Sequence, residues 1–483
     1  MNQRPHILFI LTDQQRADCL SCAGHPLLRT PNMDRIAADG VRFERACTTS
    51  PLCVPARLTM ATGLYPHNSN LWQNDAECPP DADTYMRRLR DAGYRTCSIG
   101  KNHLYEMENC DLYANMPKYR TIGFDHIEDL SGTWGVIGGR SPYTDHLEAL
   151  GLMQGLRDYL RALEAQPDQV RRFVAEPLPI PAEHYIDAFV ADRVVRYVDA
   201  CDSNAPTFVY AGFQGPHEPW DAPAEYARRY PLDRIPEPIP EQPDGEWLPE
   251  RSRRYQRWAQ YYQPPCPQAG KRIAASYFGK IAQIDDGVGR ILDAYARKGW
   301  LDNTLIVFAS DHGEMLNDLG RLSKSVFYES ALRVPLIIRP PGGLRNGGRC
   351  CSALVETGDL YATILEAAAA APNPDADSCS LLPLVRHEQD EIRGDVLSEV
   401  HVHTMLRTDA WKLVVGRDGR TLQLFDLNAD PREQCNLCGH PPYADRELSL
   451  RSRLLERLVS ATCRPGRIDP EYSGHAAPEE AVG

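Results

Sequence analysis

Cys53 is the side chain best placed to do covalent chemistry in this chain. It stands in the run Pro51-Leu52-Cys53-Val54-Pro55-Ala56-Arg57-Leu58-Thr59-Met60-Ala61-Thr62-Gly63. A structural cysteine needs only apolar neighbours. A reactive one needs positive charge to stabilise its thiolate, and Arg57 lies four residues on.

Asp13-Gln14 and Asp311-His312 each follow an apolar run. Two carboxylates, an amide oxygen and an imidazole form a mixed donor set for one divalent cation. The oxygen donors favour Ca²⁺ or Mg²⁺, and the imidazole draws the set toward Mn²⁺ or Zn²⁺. A single Asp at a strand end is as often a helix cap or turn former. Two such pairs beside the Cys53 run meet the criteria of a site.

Lys101, in Gly100-Lys101-Asn102-His103, and Lys324, in Arg321-Leu322-Ser323-Lys324, add cations. With Arg57 and a metal they form a clamp for a transferring sulfuryl or phosphoryl group. Each lysine alone reads equally as a solvated surface residue. His103 and His217, the latter in Gly215-Pro216-His217-Glu218-Pro219, follow apolar runs and suit proton transfer near neutral pH. His401 and His403 open a later group of strands and are taken as substrate contacts.

These residues need elements to bring them together. His6 to Thr12 and Thr304 to Ser310 read as buried strands, each running into an acid. Further strands are expected at Val41-Arg42-Phe43, 94–100, 205–211 and 334–339. Helices are expected from Thr30 to Asp39, from Arg57 onward, and over 83–91, 182–200 and 273–298. This alternation predicts an α/β fold with a large, mostly parallel sheet flanked by helices, whose strand ends gather the site. From about residue 376 the pattern changes to short antiparallel strands over 395–400, 404–407, 411–415 and 423–427, then a helix over 445–462. The expected division is a catalytic part, 1–375, an antiparallel subdomain, 376–464, and a loose tail, 465–483. Residues 104–180 and 219–270 read as insertions, either pocket walls or plain surface loops.

Composition sets broad bounds. A chain of 483 residues with 42% apolar and 25% charged residues can bury a large core. A net charge of -13 speaks against nucleic acid or an anionic membrane as partner, but not against a small anion. The fifteen cysteines are scattered, with a C-x-x-C at Cys435 and Cys438. They imply reduced thiols, not a zinc ribbon. The short apolar stretch at the start predicts neither a signal peptide nor a membrane span, hence a cytoplasmic protein.

Together these residues resemble the formylglycine-dependent sulfatases of the alkaline phosphatase superfamily. The resemblance is carried in order by Leu11 to Asp18, Thr30 to Asp34, Cys53 to Gly63, Gly93 to His103, Ser310 to Glu314, Tyr328 to Pro335, and Leu424 to Leu427 with Asp430-Pro431. The Cys-x-Pro-x-Arg run is its most specific part. It implies that a formylglycine-generating or sulfatase-maturating enzyme converts Cys53 to formylglycine (3-oxoalanine). One hydroxyl of the hydrated aldehyde would attack sulfur, and the other would then lose its proton and eject sulfate. By the same resemblance Asp13, Gln14, Asp311 and His312 hold the metal with the nucleophile, with Ca²⁺ first and Mn²⁺, Mg²⁺ or Zn²⁺ as alternatives. Arg57 steadies the hydrate, Lys101 and Lys324 bind sulfate, His103 assists elimination, and His217 is the acid for the leaving group.

The chain departs from the family in places. Many calcium sulfatases carry Asp-Asp where this chain has Asp13-Gln14, and Asp-Asn where it has Asp311-His312. The pairs found here also occur in related phosphonate monoester and phosphodiester hydrolases, and Gln73-Asn74 resembles a substrate-contacting Asn of that branch. Leu319 stands where the family pattern has a His. A sulfate ester hydrolase is the first expectation, acting on a small sulfated substrate such as a sugar sulfate. A phosphonate monoester or phosphodiester hydrolase comes second, and a non-catalytic metal-binding scaffold third. A homo-oligomer is expected from fold analogy.

Overall fold

The computed structural model describes residues 4–202, 205–259 and 264–462. Its largest sheet has eight strands: His6–Asp13 (β1), Val41–Cys47 (β2), Arg95–Gly100 (β3), His126–Asp129 (β4), Thr207–Pro216 (β5), Thr304–Ser310 (β6), Leu336–Arg339 (β7) and Arg349–Glu356 (β8). Their order is β4-β3-β5-β1-β6-β7-β2-β8, and β7 alone runs against its neighbours.

The apolar runs explain this arrangement. In β1, Leu8 and Ile10 point into one core and Ile7, Phe9 and Leu11 into another, so both faces of the sheet are covered. That is the condition under which a parallel sheet reads as a continuous hydrophobic run. Helices Ile186–Ala200 and Pro267–Arg297 cover the Leu8–Ile10 face, and helices Cys53–Thr62 and Leu360–Ala367 the other.

A separate antiparallel sheet, β12-β11-β10-β9, is formed by Asp395–Val400 (β9), His403–Thr408 (β10), Trp411–Val415 (β11) and Thr421–Asp426 (β12), followed by helix Ala444–Thr462. Val396, Val400, Met405 and Val414 share a core with Leu52, Tyr255 and Leu354, so this sheet packs beside the chain leading into Cys53.

Several expected bounds shift. The stretch 182–200 divides into a short 3-10 turn, Ala182–His184, and helix Ile186–Ala200. Tyr185 between them is extended, which buries its ring and lets its hydroxyl donate to the Leu178 carbonyl. The 83–91 helix starts at Tyr85, because the Thr84 hydroxyl accepts from the Arg87 amide as its N-cap. Strand β8 was not foreseen because its first half, Arg-Cys-Cys-Ser, lacks an apolar run. The expected loose tail, 465–483, lies outside the described residues. All the described cysteines are free. No helix among the described residues is long and apolar enough to cross a membrane.

Candidate active site

Four adjacent parallel strands, β3, β5, β1 and β6, release their carboxyl ends side by side. β1 and β6 pair in register through Thr12 and Ser310, so Asp13 and Asp311 emerge next to each other. Lys101, Asn102 and His103 follow β3, and His217 follows β5. Gly100 permits this crowding: it has φ +105°, and a Cβ there would lie 1.9 Å from the Gly212 carbonyl oxygen of β5.

The helix Cys53–Thr62 brings its first residue to the same point. Single ligand atoms of Asp13, Cys53, Asp311 and His312 lie within 4.8 Å of one another, all buried. Cys53 Sγ is 3.1 Å from His312 Nε2 and 3.8 Å from Asp13 Oδ1. His312 Nδ1 lies 3.0 Å from the Gly313 carbonyl. A carbonyl only accepts, so the proton sits on Nδ1 and Nε2 turns its lone pair to the cluster. The Asn74 side chain accepts from the Val54 amide at 3.0 Å and so caps the helix that carries Cys53.

Cations surround the two acids. Arg57 is 3% exposed. Its Nε donates to Asp311 Oδ2 at 2.9 Å and its Nη2 to Asp13 Oδ2 at 3.1 Å. Its Nη1 donates to the Lys101 carbonyl at 2.8 Å and the Tyr210 hydroxyl at 3.0 Å. Lys101 Nζ lies 2.6 Å from Asp13 Oδ2. Burial alone pushes the Asp13 carboxyl up, but Lys101, His217, Arg57 and Lys324 outweigh it and hold that group well below the usual carboxylate range. Burial, reinforced by Lys101 and Arg57, holds His103 well below its ordinary value and keeps it neutral.

Lys324 Nζ donates to Gln14 Oε1 and to His217 Nε2, each at 2.5 Å. His217 Nδ1 in turn faces the Glu218 carbonyl at 2.7 Å. Sequence reasoning missed two acids here. Gln14 Nε2 donates to Glu218 Oε2 at 2.8 Å and to Glu314 Oε2 at 2.5 Å. One carboxylate for each amide hydrogen fixes which way the amide faces, and Oε1 is left toward Lys324. Burial and the neighbouring Glu218 push the Glu314 carboxyl up to about 7. Glu218 directly follows His217 and Glu314 lies two residues after His312, but no local pattern showed that both would reach Gln14.

Of the predicted site residues, Asp13, Gln14, Cys53, Arg57, Lys101, Asp311, His312, His217 and Lys324 form one hydrogen-bonded or near-contact network. His103 lies within their field, and Asn74 touches it through Val54. His403 instead packs its ring 5.1 Å from that of Tyr255, and among the described residues no hydrogen bond joins it to the cluster. Leu319 sits in an apolar group with Met315, Val326 and Tyr328. A second C-x-x-C, Cys19 to Cys22, also escaped the sequence reading. Among the described residues neither C-x-x-C belongs to a group that could hold a metal.

A cavity of about 360 Å³ opens at His217 and Glu218, with Trp134, Phe173, Trp220, Asn109 and Arg171 in its walls. Both expected insertions contribute to it. A larger cavity of about 740 Å³, near Arg16 and Phe278, holds none of the clustered ligands, so size alone does not locate the chemistry.

The model of the sulfatase family matches residues 5–370. A second model, described as N-sulphoglucosamine sulphohydrolase, C-terminal, matches residues 318–460. An arylsulfatase of Clostridium perfringens is 27% identical over 482 residues, spanning 94% of each chain. The multifunctional alkaline phosphatase superfamily protein PehA of Trinickia caryophylli is 28% identical over 486 residues, spanning 91% of this chain and 92% of that one. Among solved structures, the phosphonate monoester hydrolase SpPMH from Silicibacter pomeroyi superposes with a TM-score of 0.79 at 25% identity, covering 95% of this chain and 96% of that one.

Proposed function

The chain belongs to the sulfatase family of sulfuric ester hydrolases, and from that premise we propose that it hydrolyses a small sulfate ester with a nucleophile made from Cys53. The observation that carries this reading is the convergence of Asp13, Cys53, Asp311 and His312, buried and ringed by Arg57, Lys101 and Lys324.

The donor set fits a divalent cation. Two buried carboxylates and an imidazole lone pair point at one place, beside an amide oxygen whose orientation is fixed. Asp13, Asp311 and His312 would hold the ion, with Gln14 contributing Oε1. Calcium is the first choice, and Mn²⁺, Mg²⁺ or Zn²⁺ are alternatives. When bound, the cation supplies Lewis-acid stabilisation of negative oxygen, and formylglycine at position 53 supplies an oxygen nucleophile.

The remaining work falls to side chains. Arg57 holds Asp13 and Asp311 in place. Lys101 and Lys324 bind the sulfuryl oxygens as charge develops on them. His217 protonates the departing alcohol through Nε2, relaying the proton that Lys324 donates to it. His103, neutral at working pH, takes a proton when sulfate is expelled. The cavity beside His217 seats the alcohol, and its mix of aromatic and polar walls suits a sugar sulfate.

A phosphonate monoester or phosphodiester hydrolase is the second reading. Gln14 and His312, in place of the acid and Asn of many calcium sulfatases, favour it, as does the likeness to SpPMH. Turnover of 4-nitrophenyl sulfate against phenylphosphonate and phosphodiester analogues separates the two. We expect the sulfate to be preferred. A preference for phosphorus beyond about 100-fold, or about 2.7 kcal/mol of barrier, overturns the first reading.

A further inference from the structure

Lys280 lies on helix Pro267–Arg297, away from the metal donors, and is 3% exposed. A lysine so deeply buried needs partners for all three of its N–H bonds. It has them on a single loop. Nζ donates to the His217 carbonyl at 2.8 Å, to the Pro219 carbonyl at 3.1 Å and to Asp221 Oδ1 at 2.7 Å. The two carbonyls bracket Glu218, and the Glu218 carbonyl is the acceptor for His217 Nδ1 at 2.7 Å.

A second buried charge secures the start of the same loop. Asp187, on helix Ile186–Ala200, accepts from the Gln214 amide at 2.7 Å and the Gly215 amide at 3.1 Å. Gly215 has no room for a side chain, since a Cβ would lie 2.5 Å from Asp187 Oδ2 and 3.2 Å from Lys280 Cε. Asp221 is tied further by the Thr133 hydroxyl at 3.2 Å. Two core helices thus each commit a buried ion to one short segment. That segment lines the cavity with His217, Glu218, Pro219 and Trp220.

We propose that Lys280 is a positioning residue for proton transfer by His217. It fixes the backbone on both sides of Glu218, whose carbonyl then orients the imidazole so that Nε2 faces the leaving oxygen. As the S–O bond breaks, the proton that Lys324 donates to Nε2 passes through Nε2 to that oxygen, and solvent later restores a proton to Lys324. The proposal rests on the assignment of His217 as the acid.

The test uses the full-length enzyme and aryl sulfates whose phenols range from good to poor leaving groups. Proton donation matters most for the poorest. Lys280→Met is combined with Asp221→Asn, so that no buried carboxylate is left unpaired. This variant should lose about 100-fold in kcat/KM on the poorest leaving group and under about 5-fold on 4-nitrophenyl sulfate, the scale expected when a catalytic group is misplaced. The loss should fall on kcat and leave KM nearly unchanged. Lys280→Arg keeps the charge but not the three-way geometry, and should show the same trend at about a tenth of the size. It also serves if the double variant does not fold.

His217→Ala separates the two claims. If its loss depends on the leaving group while that of both Lys280 variants is uniform or absent, Lys280 has no positioning role. If the His217→Ala loss is itself uniform, the assignment of His217 fails and the proposal falls with it. An enzyme that prefers phosphorus is read with the same phenols as phosphonate monoesters. A wild-type enzyme that hydrolyses neither ester overturns both claims.

Discussion

At the residue scale the centre balances buried acids against buried cations. Arg57 spends its guanidinium on Asp13, Asp311, the Lys101 carbonyl and the Tyr210 hydroxyl. Beside this group Asp129, 3% exposed at the end of β4, is different: burial pushes its carboxyl up to about 7. Its ordinary value, near 4, applies in the unfolded chain. Between those values the unfolded chain has lost the proton and the folded one keeps it, so stability falls as pH rises; above about 7 the cost is constant. Asp129→Asn removes this dependence. Its advantage over wild type in urea unfolding should grow by about 3 kcal/mol between pH 5 and pH 8. A difference that stays flat over that range would show that Asp129 ionises normally. Asp13, Asp311 and His312 were legible in the sequence because each ends or follows an apolar strand. Glu314, Tyr210 and Lys280 were not, because the partners that tie them to the site come from elements 59 or more residues away.

At the element scale the helix Cys53–Thr62 is buried along its whole length, and its first turn has no cap of its own. Asn74 supplies one from a separate segment. Asn74→Ala should therefore cost about 1 kcal/mol of stability, as for other lost caps, while Asn74→Asp keeps the acceptor and should cost little. If Asn74 also contacts substrate, activity falls in both variants, but only the alanine variant loses stability. Equal stability of all three proteins in urea unfolding would remove the capping role. Strands β1, β2, β3, β5, β6 and β7 of the large sheet could be read because buried strands are nearly continuous apolar runs, whereas β4 and β8 begin without one and could not. The strand order could not be read: placing β5 beside β1, and so His217 beside Asp13, is a property of topology. The second sheet was legible for the opposite reason, since short alternating strands joined by tight turns pair with their neighbours in sequence.

At the scale of the whole molecule a chain of net charge -13 concentrates Arg57, Lys101 and Lys324 at one strand-end cluster. The local field, not the overall charge, decides what binds there. The second sheet is joined to the site region by a buried ionic group. Lys412 of β11, fully buried, reaches Glu329 at 2.8 Å and Glu433 at 2.5 Å, and its Nζ donates to the Phe327 carbonyl at 2.8 Å. Lys324 lies three residues before Phe327, so the second sheet helps hold the loop that carries it. All of this would serve a nucleophile at position 53, and the most direct test is the mass of that residue. The tryptic peptide 46–57, from protein made with a maturating enzyme, should be lighter by about 18 Da than its unmodified form, as expected for conversion of the thiol side chain to an aldehyde. Fragmentation must place the change at Cys53, not at Cys47 in the same peptide. An unmodified Cys53 in protein that still hydrolyses sulfate esters would contradict the account.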